Sequence, residues 1–320
     1  MAGILLSAEA FFLKTSAVSD IHYYNSLTGT TEKENVYGEA FLSFAYGNPL
    51  GKMALHALIK RPLFSRWYGW RMNCPSSRKL IAPFIETYGL STVEFADPPD
   101  SYASFNEFFY RKLKARSRPV DADPRSLVFP ADARHLAFEK ASMIDSVFVK
   151  SQRFDLGRLL QSDKLAAAYE HGSLVLSRLC PVDYHRFHFP LAGVPSTSET
   201  IPGPLFSVSP IALRRKLAYL WQNKRTLTRL ETEHCGTVLL LEIGATCVGS
   251  IQQTYTAGRE VLKGAEKGFF AFGGSSTMVL FEPGTVRLNP DLLSRSAETI
   301  ETYAHMGMAM GRSSDAAREH

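Results

Sequence analysis

Between Ala40 and Ile85 the chain has no aspartate or glutamate, although 31 acidic residues occur among its 320. The same stretch carries Lys52, Lys60, Arg61, Arg66, Arg71, Arg78 and Lys79, with two of the three tryptophans, Trp67 and Trp70. Nothing in it repels an anionic surface, and cations mixed with aromatic rings suit a membrane interface. Other absences exclude whole classes. No uninterrupted apolar run reaches the roughly twenty residues that a transmembrane helix needs, so none is expected. Met1–Val18 is broken by Glu9 and Lys14 and has no basic stretch before it, which speaks against a cleaved signal peptide. The four cysteines, Cys74, Cys180, Cys235 and Cys247, form no CxxC spacing; they indicate no disulfide scaffold, and a reducing compartment is the simpler expectation. Glycine fingerprints for nucleotide phosphates and dinucleotides are missing, and so is the G-x-S-x-G elbow of α/β-hydrolases. With no regular basic stripe or nucleic-acid module, nucleic acid is not an expected partner.

What is present reads as an ordinary folded protein. Apolar residues make up 45% and charged residues 21%, the formal net charge is +5, and 17 prolines with 22 glycines mark many turns. Residues 1–35 read as a loosely structured lead-in. From 36 to 90 the pattern is mainly helical, with Leu50, Met53, Ala54, Ala57 and Leu58 on one face before Pro62. The alternative to membrane contact is a helical subdomain whose tryptophans lie in its core. Ser104 with Glu107 has capping-box spacing for a short helix. The basic run Arg111, Lys112, Lys114, Arg116 and Arg118 then reads as a solvated face, or as one that meets a headgroup. Short apolar runs at 127–130, 136–138, 143–149, 174–180, 237–243, 247–251 and 269–272 alternate with turns and predict strands with non-local pairing. Helices are expected at 208–222 and around 296–309. The expected fold class is α+β: a β-rich catalytic core with an N-terminal helical membrane-associating region.

The candidate chemistry centres on Gly268–Phe281, where apolar segments enter and leave Gly273-Gly274-Ser275-Ser276-Thr277. Glycines leave a peptide carbonyl approachable, and an adjacent hydroxyl can attack it once a base takes the proton. The same residues also suit a plain β-turn. Two distant stretches supply groups that can activate a hydroxyl. Phe129-Pro130-Ala131-Asp132 holds a carboxylate after a short strand and a proline. Cys180–Pro190 contains His185 and His188, imidazoles suited to proton transfer near neutral pH. Asp132, a histidine and Ser275 can form a proton relay. Equally, Asp132 can cap a turn and the imidazoles can be structural. A zinc site on His185 and His188 with Cys180 or Asp183 lacks a firm third ligand.

Six stretches together carry a resemblance: Phe105-Asn106-Glu107-Phe108-Phe109, Pro130-Ala131-Asp132, Asp183-Tyr184-His185-Arg186-Phe187-His188-Phe189-Pro190, Gly203-Pro204-Leu205-Phe206-Ser207-Val208, Gly244-Ala245-Thr246-Cys247-Val248-Gly249-Ser250-Ile251 and Phe272-Gly273-Gly274-Ser275-Ser276. In this order they resemble phosphatidylserine decarboxylase, a self-processing pyruvoyl enzyme. The resemblance implies that Asp132, His188 and Ser275 form the self-processing triad and that His185 serves the substrate chemistry. Cleavage would fall between Gly274 and Ser275. It would leave a β chain of residues 1–274 and an α chain of 275–320, 46 residues long, that stay associated. The organisation implied is a mainly helical membrane-associating region over 1–100 and a pyruvoyl decarboxylase core over 101–320. The cofactor would be a pyruvoyl group made covalently from Ser275, with no metal and no PLP. Phosphatidylserine would be converted to phosphatidylethanolamine and carbon dioxide through a Schiff base. A homodimer and peripheral attachment to an anionic membrane surface, on the cytoplasmic face in a bacterium, complete the expectation. Two positions depart from the usual pattern: Gly-Gly-Ser-Ser stands where many members have Leu-Gly-Ser-Thr, and Ala133 follows Asp132 where many have glycine. Ser276 is the alternative cleavage residue. Competing readings are another pyruvoyl-dependent amino-acid decarboxylase, a conventional serine hydrolase with an intact chain, and a lipid-binding protein without activity.

Overall fold

Most of the short apolar runs beyond residue 125 become strands, paired with partners far away in the chain. The computed structural model describes residues 21–34, 45, 48, 51, 53, 62–144, 154–213, 216–245, 250–271, 273 and 275–314. In chain order the strands are β1 (His22–Asn25), β2 (Thr30–Lys33), β3 (Ser126–Val128), β4 (Ala133–Phe138), β5 (Leu174–Leu179), β6 (Arg186–His188), β7 (Val194–Pro195), β8 (Glu199–Ile201), β9 (Arg225–Thr232), β10 (Gly236–Ile243), β11 (Ile251–Gln253), β12 (Glu266–Phe270), β13 (Ser275–Leu280), β14 (Val286–Leu288), β15 (Glu301–Ala304) and β16 (Ala309–Ser313). The α-helices are α1 (Pro62–Asn73), α2 (Ile81–Tyr88), α3 (Phe105–Phe109), α4 (Leu156–Leu160), α5 (Asp163–Tyr169), α6 (Pro210–Leu213), α7 (Tyr219–Gln222) and α8 (Pro290–Ala297).

A large sheet runs β2-β1-β15-β4-β5-β13-β10-β9-β7, with β8 also paired to β9. Its alternating side chains feed two cores. On one face Leu136, Leu176, Leu241, Met278 and Leu280 meet α4, α5, α6 and α7. On the other, Ala137, Val175, Leu240 and Val279 meet the sheet β14-β16-β3 and α8. A third sheet, β11-β12-β6, packs beside that second face through Phe187 and Phe270 against Ala133 and Leu179. Phe187, Phe189, Phe270 and Phe281 are fully buried, each worth about 1.5–3 kcal/mol of hydrophobic stabilisation.

The helices α1, α2 and α3 gather Met72, Ile81, Phe84, Phe105, Phe108 and Phe109 into a separate aromatic core. Ser104 caps α3 as its spacing predicted, its Oγ accepting from the Glu107 amide at 3.2 Å. The reciprocal arm reaches one residue further back: the Glu107 carboxylate accepts from the Ala103 amide at 2.6 Å.

Several expectations change. The lead-in contains the β1–β2 hairpin, which joins the large sheet because β1 pairs in parallel with β15. Its partner lies some 280 residues away (Tyr23 opposite Glu301), so no local pattern announces it. The helix expected around 296–309 starts earlier, at Pro290, where the Asn289 side chain accepts from the Asp291 amide. It ends at Ala297, Thr299 takes a left-handed φ of 64°, and β15 and β16 follow. The helix expected at 208–222 is two short pieces, α6 and α7. In the run 143–149, residues 143–144 belong to a 3-10 turn and the rest lies outside the described residues. Of the run 247–251, only its last two residues are described. Leu50, Ala54, Ala57 and Leu58 also lie outside them, whereas Met53 is exposed. The tryptophans of α1 are not core residues: Trp67 is 50% and Trp70 65% exposed. Among the described residues no helix is long and apolar enough to cross a membrane. The basic run is split, because Arg111 and Arg118 turn inward.

Candidate active site

The Gly-Gly-Ser turn is not a hairpin. β12 belongs to the small sheet, whereas β13 lies in the large sheet between β5 and β10, so residues 271–274 carry the chain from one layer to the other. Gly273 has φ 127°, a backbone setting that L side chains rarely adopt. The approach is anchored at His185, whose carbonyl accepts from the Phe270 amide at 2.9 Å. Gly274 and Phe272 lie outside the described residues.

Strand alternation separates the two serines. Ser276 sits opposite Arg178 of β5 and Ile243 of β10, on the face that carries Met278 and Leu280. Ser275 sits opposite Leu179, on the face of Thr277 and Val279. That second face looks toward the small sheet: Thr277, Val279, Phe187, His188, Glu242 and Lys267 line a void of about 10 Å³. By alternation Ser275 lies on the same side of β13 as Thr277, which lines that void with His188. The hydroxyls of Ser275, Ser276 and Thr277 are all buried without a hydrogen-bond partner, and so is Nδ1 of His188. An unpaired buried donor is unfavourable, so such atoms mark a place where chemistry or a ligand uses them.

Asp132 and His188 are neighbours through the backbone, the His188 amide donating to the Pro130 carbonyl at 2.7 Å. The Asp132 carboxylate accepts from Arg118 Nε at 2.8 and 3.0 Å and from the Met306 amide at 2.9 Å. No hydrogen bond joins it to His188; it acts on that imidazole through its charge. Burial pulls the His188 pKa down to about 4, against Glu266 and Asp132, which favour the charged form. The ring is therefore neutral near pH 7, the state a base requires.

His185 is held differently. Its Nδ1 lies 2.9 Å from the Asp183 carbonyl, to which it donates, and Phe109 covers the ring at 3.9 Å between centroids. That bond fixes the tautomer and leaves the Nε2 lone pair, which is buried and unpaired. Burial lowers the His185 pKa to about 3, with the Asp183 carbonyl and the Gly273 backbone opposing and Arg111 reinforcing.

Sequence reasoning did not find the groups that hold these residues. Asp183 is gripped by Arg134 at 2.9 Å and by the Cys180 amide at 2.6 Å, and burial still pushes its carboxyl up to about 6. Arg134 and Arg178 lie opposite each other on β4 and β5, and Glu34, at the end of the hairpin, bridges both. Burial works to raise the Glu34 carboxyl, but the two arginines outweigh it and hold it at about 2. Beneath the void, buried Lys267 pairs with Glu242 at 2.8 Å. Apart from the local Cys180–Asp183 bond, these pairs have no spacing signal, because each joins segments remote in sequence. Arg118 had one only in hindsight, as the single member of its run followed directly by proline.

The class is given by comparison with known proteins. The profile of the family described as Phosphatidylserine decarboxylase matches residues 105–311, and the chain belongs to that family. Among individual relatives, the "Phosphatidylserine decarboxylase proenzyme" of Chlamydia pneumoniae is 43% identical over 291 residues, 91% of this chain and 97% of its own. The protein of the same name from Fusobacterium nucleatum subsp. nucleatum is 42% identical over 291 residues, with the same shares. That of Chlamydia muridarum is 42% identical over 290 residues, covering 91% of this chain and 96% of its own.

Proposed function

We propose that the chain is the precursor of a decarboxylase that converts phosphatidylserine to phosphatidylethanolamine and carbon dioxide, and that it cuts itself between Gly274 and Ser275. Family membership supports the activity and the self-made pyruvoyl group. The observation that supports the residue assignment is strand alternation: Ser275, unlike Ser276, lies on the face of β13 toward the small sheet that carries His188, although both hydroxyls are buried and unpaired. In this reading neutral His188 takes the Ser275 proton, and the Asp132 charge stabilises the imidazolium that results. The oxygen attacks the Gly274 carbonyl, so a C–O ester bond replaces the peptide bond. Elimination then releases the Gly274 carboxylate and leaves a dehydroalanine, which takes up water and loses ammonia.

The orphaned hydroxyl and the two orphaned imidazole nitrogens fit a pyruvoyl group at residue 275. When present, that group supplies a conjugated carbonyl as electron sink, which no side chain offers. His185, with its Nδ1 tied to Asp183, presents the Nε2 lone pair for holding a proton and returning it to the substrate carbon. The surrounding burial excludes water. The exposed tryptophans of α1 and the neighbouring cations support docking at an anionic membrane, where the headgroup reaches the site without full extraction.

Intact-mass measurement with a turnover assay on phosphatidylserine vesicles tests this. Wild type and Ser276→Ala are expected as two fragments, the smaller carrying the mass change of serine to pyruvoyl. Ser275→Ala is expected as one inactive chain. Cleavage in Ser275→Ala but not in Ser276→Ala would reverse the assignment.

A further inference from the structure

Arg111 is a buried cation that no carboxylate among the described residues touches, although the charges of Asp132 and Asp183 act on it. It is 5% exposed, and among the described residues it enters no ion pair. Its Nε has no hydrogen-bond partner, and Nη1 reaches the Phe108 carbonyl only at 3.4 Å. Other buried arginines are satisfied. Arg118, Arg134, Arg178 and Arg186 each hold a carboxylate, and Arg225 donates to the carbonyls of Leu159, Asn223 and Arg158. Burying an uncompensated guanidinium is unfavourable, and burial draws the Arg111 pKa down to about 10.

Its orientation is fixed. The guanidinium carbon lies 4.6 Å from the Phe95 ring and 4.9 Å from the Phe108 ring, both in the helical core. Those contacts hold the group against the helical core, and its Nε donor is left without a partner; a guanidinium edge suits two oxygens of one anion. The location is the flank of the candidate site. The charge of Arg111 acts on His185, and Phe109, two residues before it, covers the His185 ring.

We infer that Arg111 binds the phosphodiester of the substrate headgroup; this rests on the decarboxylase reading above. A phosphodiester fits better than the departing carboxylate. A cation on the carboxylate stabilises the charge that decarboxylation must disperse, and so opposes the reaction. The phosphodiester keeps its charge throughout, so a contact there holds substrate and transition state equally and acts on KM.

Kinetics on soluble short-chain phosphatidylserine, comparing wild type with Arg111→Met and Arg111→Lys, tests the inference. Self-cleavage and kcat are expected to stay near wild type. KM should rise roughly 10- to 100-fold in Arg111→Met, the loss of a charged hydrogen bond, and less in Arg111→Lys. Glycerophosphoethanolamine, which has the diester but no carboxylate, should compete with substrate in wild type and lose that ability in Arg111→Met. Equal competition by inorganic phosphate would overturn the assignment to a diester, and a fall in kcat at constant KM would overturn it in favour of the carboxylate. The melting temperature separates binding from bracing. Removing an unpaired buried charge should leave it unchanged or raised, whereas a lowered value with KM unchanged would make Arg111 a structural brace. Should Arg111→Met not fold, the KM of Arg111→Lys decides, because that variant keeps the charge and loses the fork. A wild-type chain without any decarboxylation would sink the earlier reading and this inference with it, whereas active wild type with an unchanged KM in Arg111→Met would sink this inference alone.

Discussion

At the scale of single residues, burial sets the charge states on which the site depends. Burial pulls the pKa values of His135, His185 and His188 from 6.5 to about 3, 3 and 4. The unfolded chain takes up these protons below 6.5, the folded chain only below the lower values, so the unfolded state binds more protons in between. The stability they contribute is complete above pH 6.5 and is lost as the pH falls toward about 3. Asp183 opposes this between 3.8 and about 6, where the folded state holds the extra proton. His305, which burial also lowers, acts with the three imidazoles, so Asp183 alone on the other side leaves net acid destabilisation. Thermal melts at about pH 7.5 and about pH 5 should show the lower midpoint in acid; an equal or higher midpoint there would mean the imidazoles are not buried neutral. The candidate residues themselves were legible in the sequence, because glycine, serine, histidine and aspartate occur in compact motifs. Their holders, Arg118, Arg134 and Glu34, were not.

At the scale of elements, the passage from β12 to β13 matters most. The sequence marked two apolar segments around a glycine pair, and both are strands, but it could not say that they belong to different sheets. Gly268 shows how tight the small sheet is: a Cβ there would lie 2.0 Å from the Gln252 carbonyl oxygen and 2.7 Å from the Phe187 ring. Helix α1 raises a different question. It exposes Leu63, Trp67 and Trp70 on a stretch with no acidic residue, and large apolar side chains left in water mark a contact surface. Replacing Trp67 and Trp70 together by serine should leave the melting temperature unchanged, because neither ring is buried. Sedimentation with phosphatidylserine-containing vesicles should fall at least about tenfold, the loss of two interfacial anchors. Unaltered sedimentation would place the docking surface elsewhere.

At the scale of the whole molecule, residues 275–314 contribute strands to two of the three sheets, all but β11-β12-β6. β13 is hydrogen-bonded on both edges by β5 and β10, β15 lies between β1 and β4, and β16 joins β14 to β3. Cutting before Ser275 removes one covalent bond and none of these ladders. The two fragments should therefore co-elute in native size-exclusion chromatography and separate only in denaturant. Spontaneous release of the small fragment in native buffer would contradict this topology.

The sequence by itself determined the α+β class, the capped helix at Ser104, the glycine-serine segment and the two histidines. Those signals are local: composition, periodicity and short spacings. Only the tertiary structure decided which face of β13 each serine takes, which arginine holds Asp132, that the first hairpin completes the large sheet, and that Arg111 is buried without an ion pair among the described residues. Each of these depends on strand order and register between segments far apart in the chain, and neither is encoded in any window of neighbouring residues.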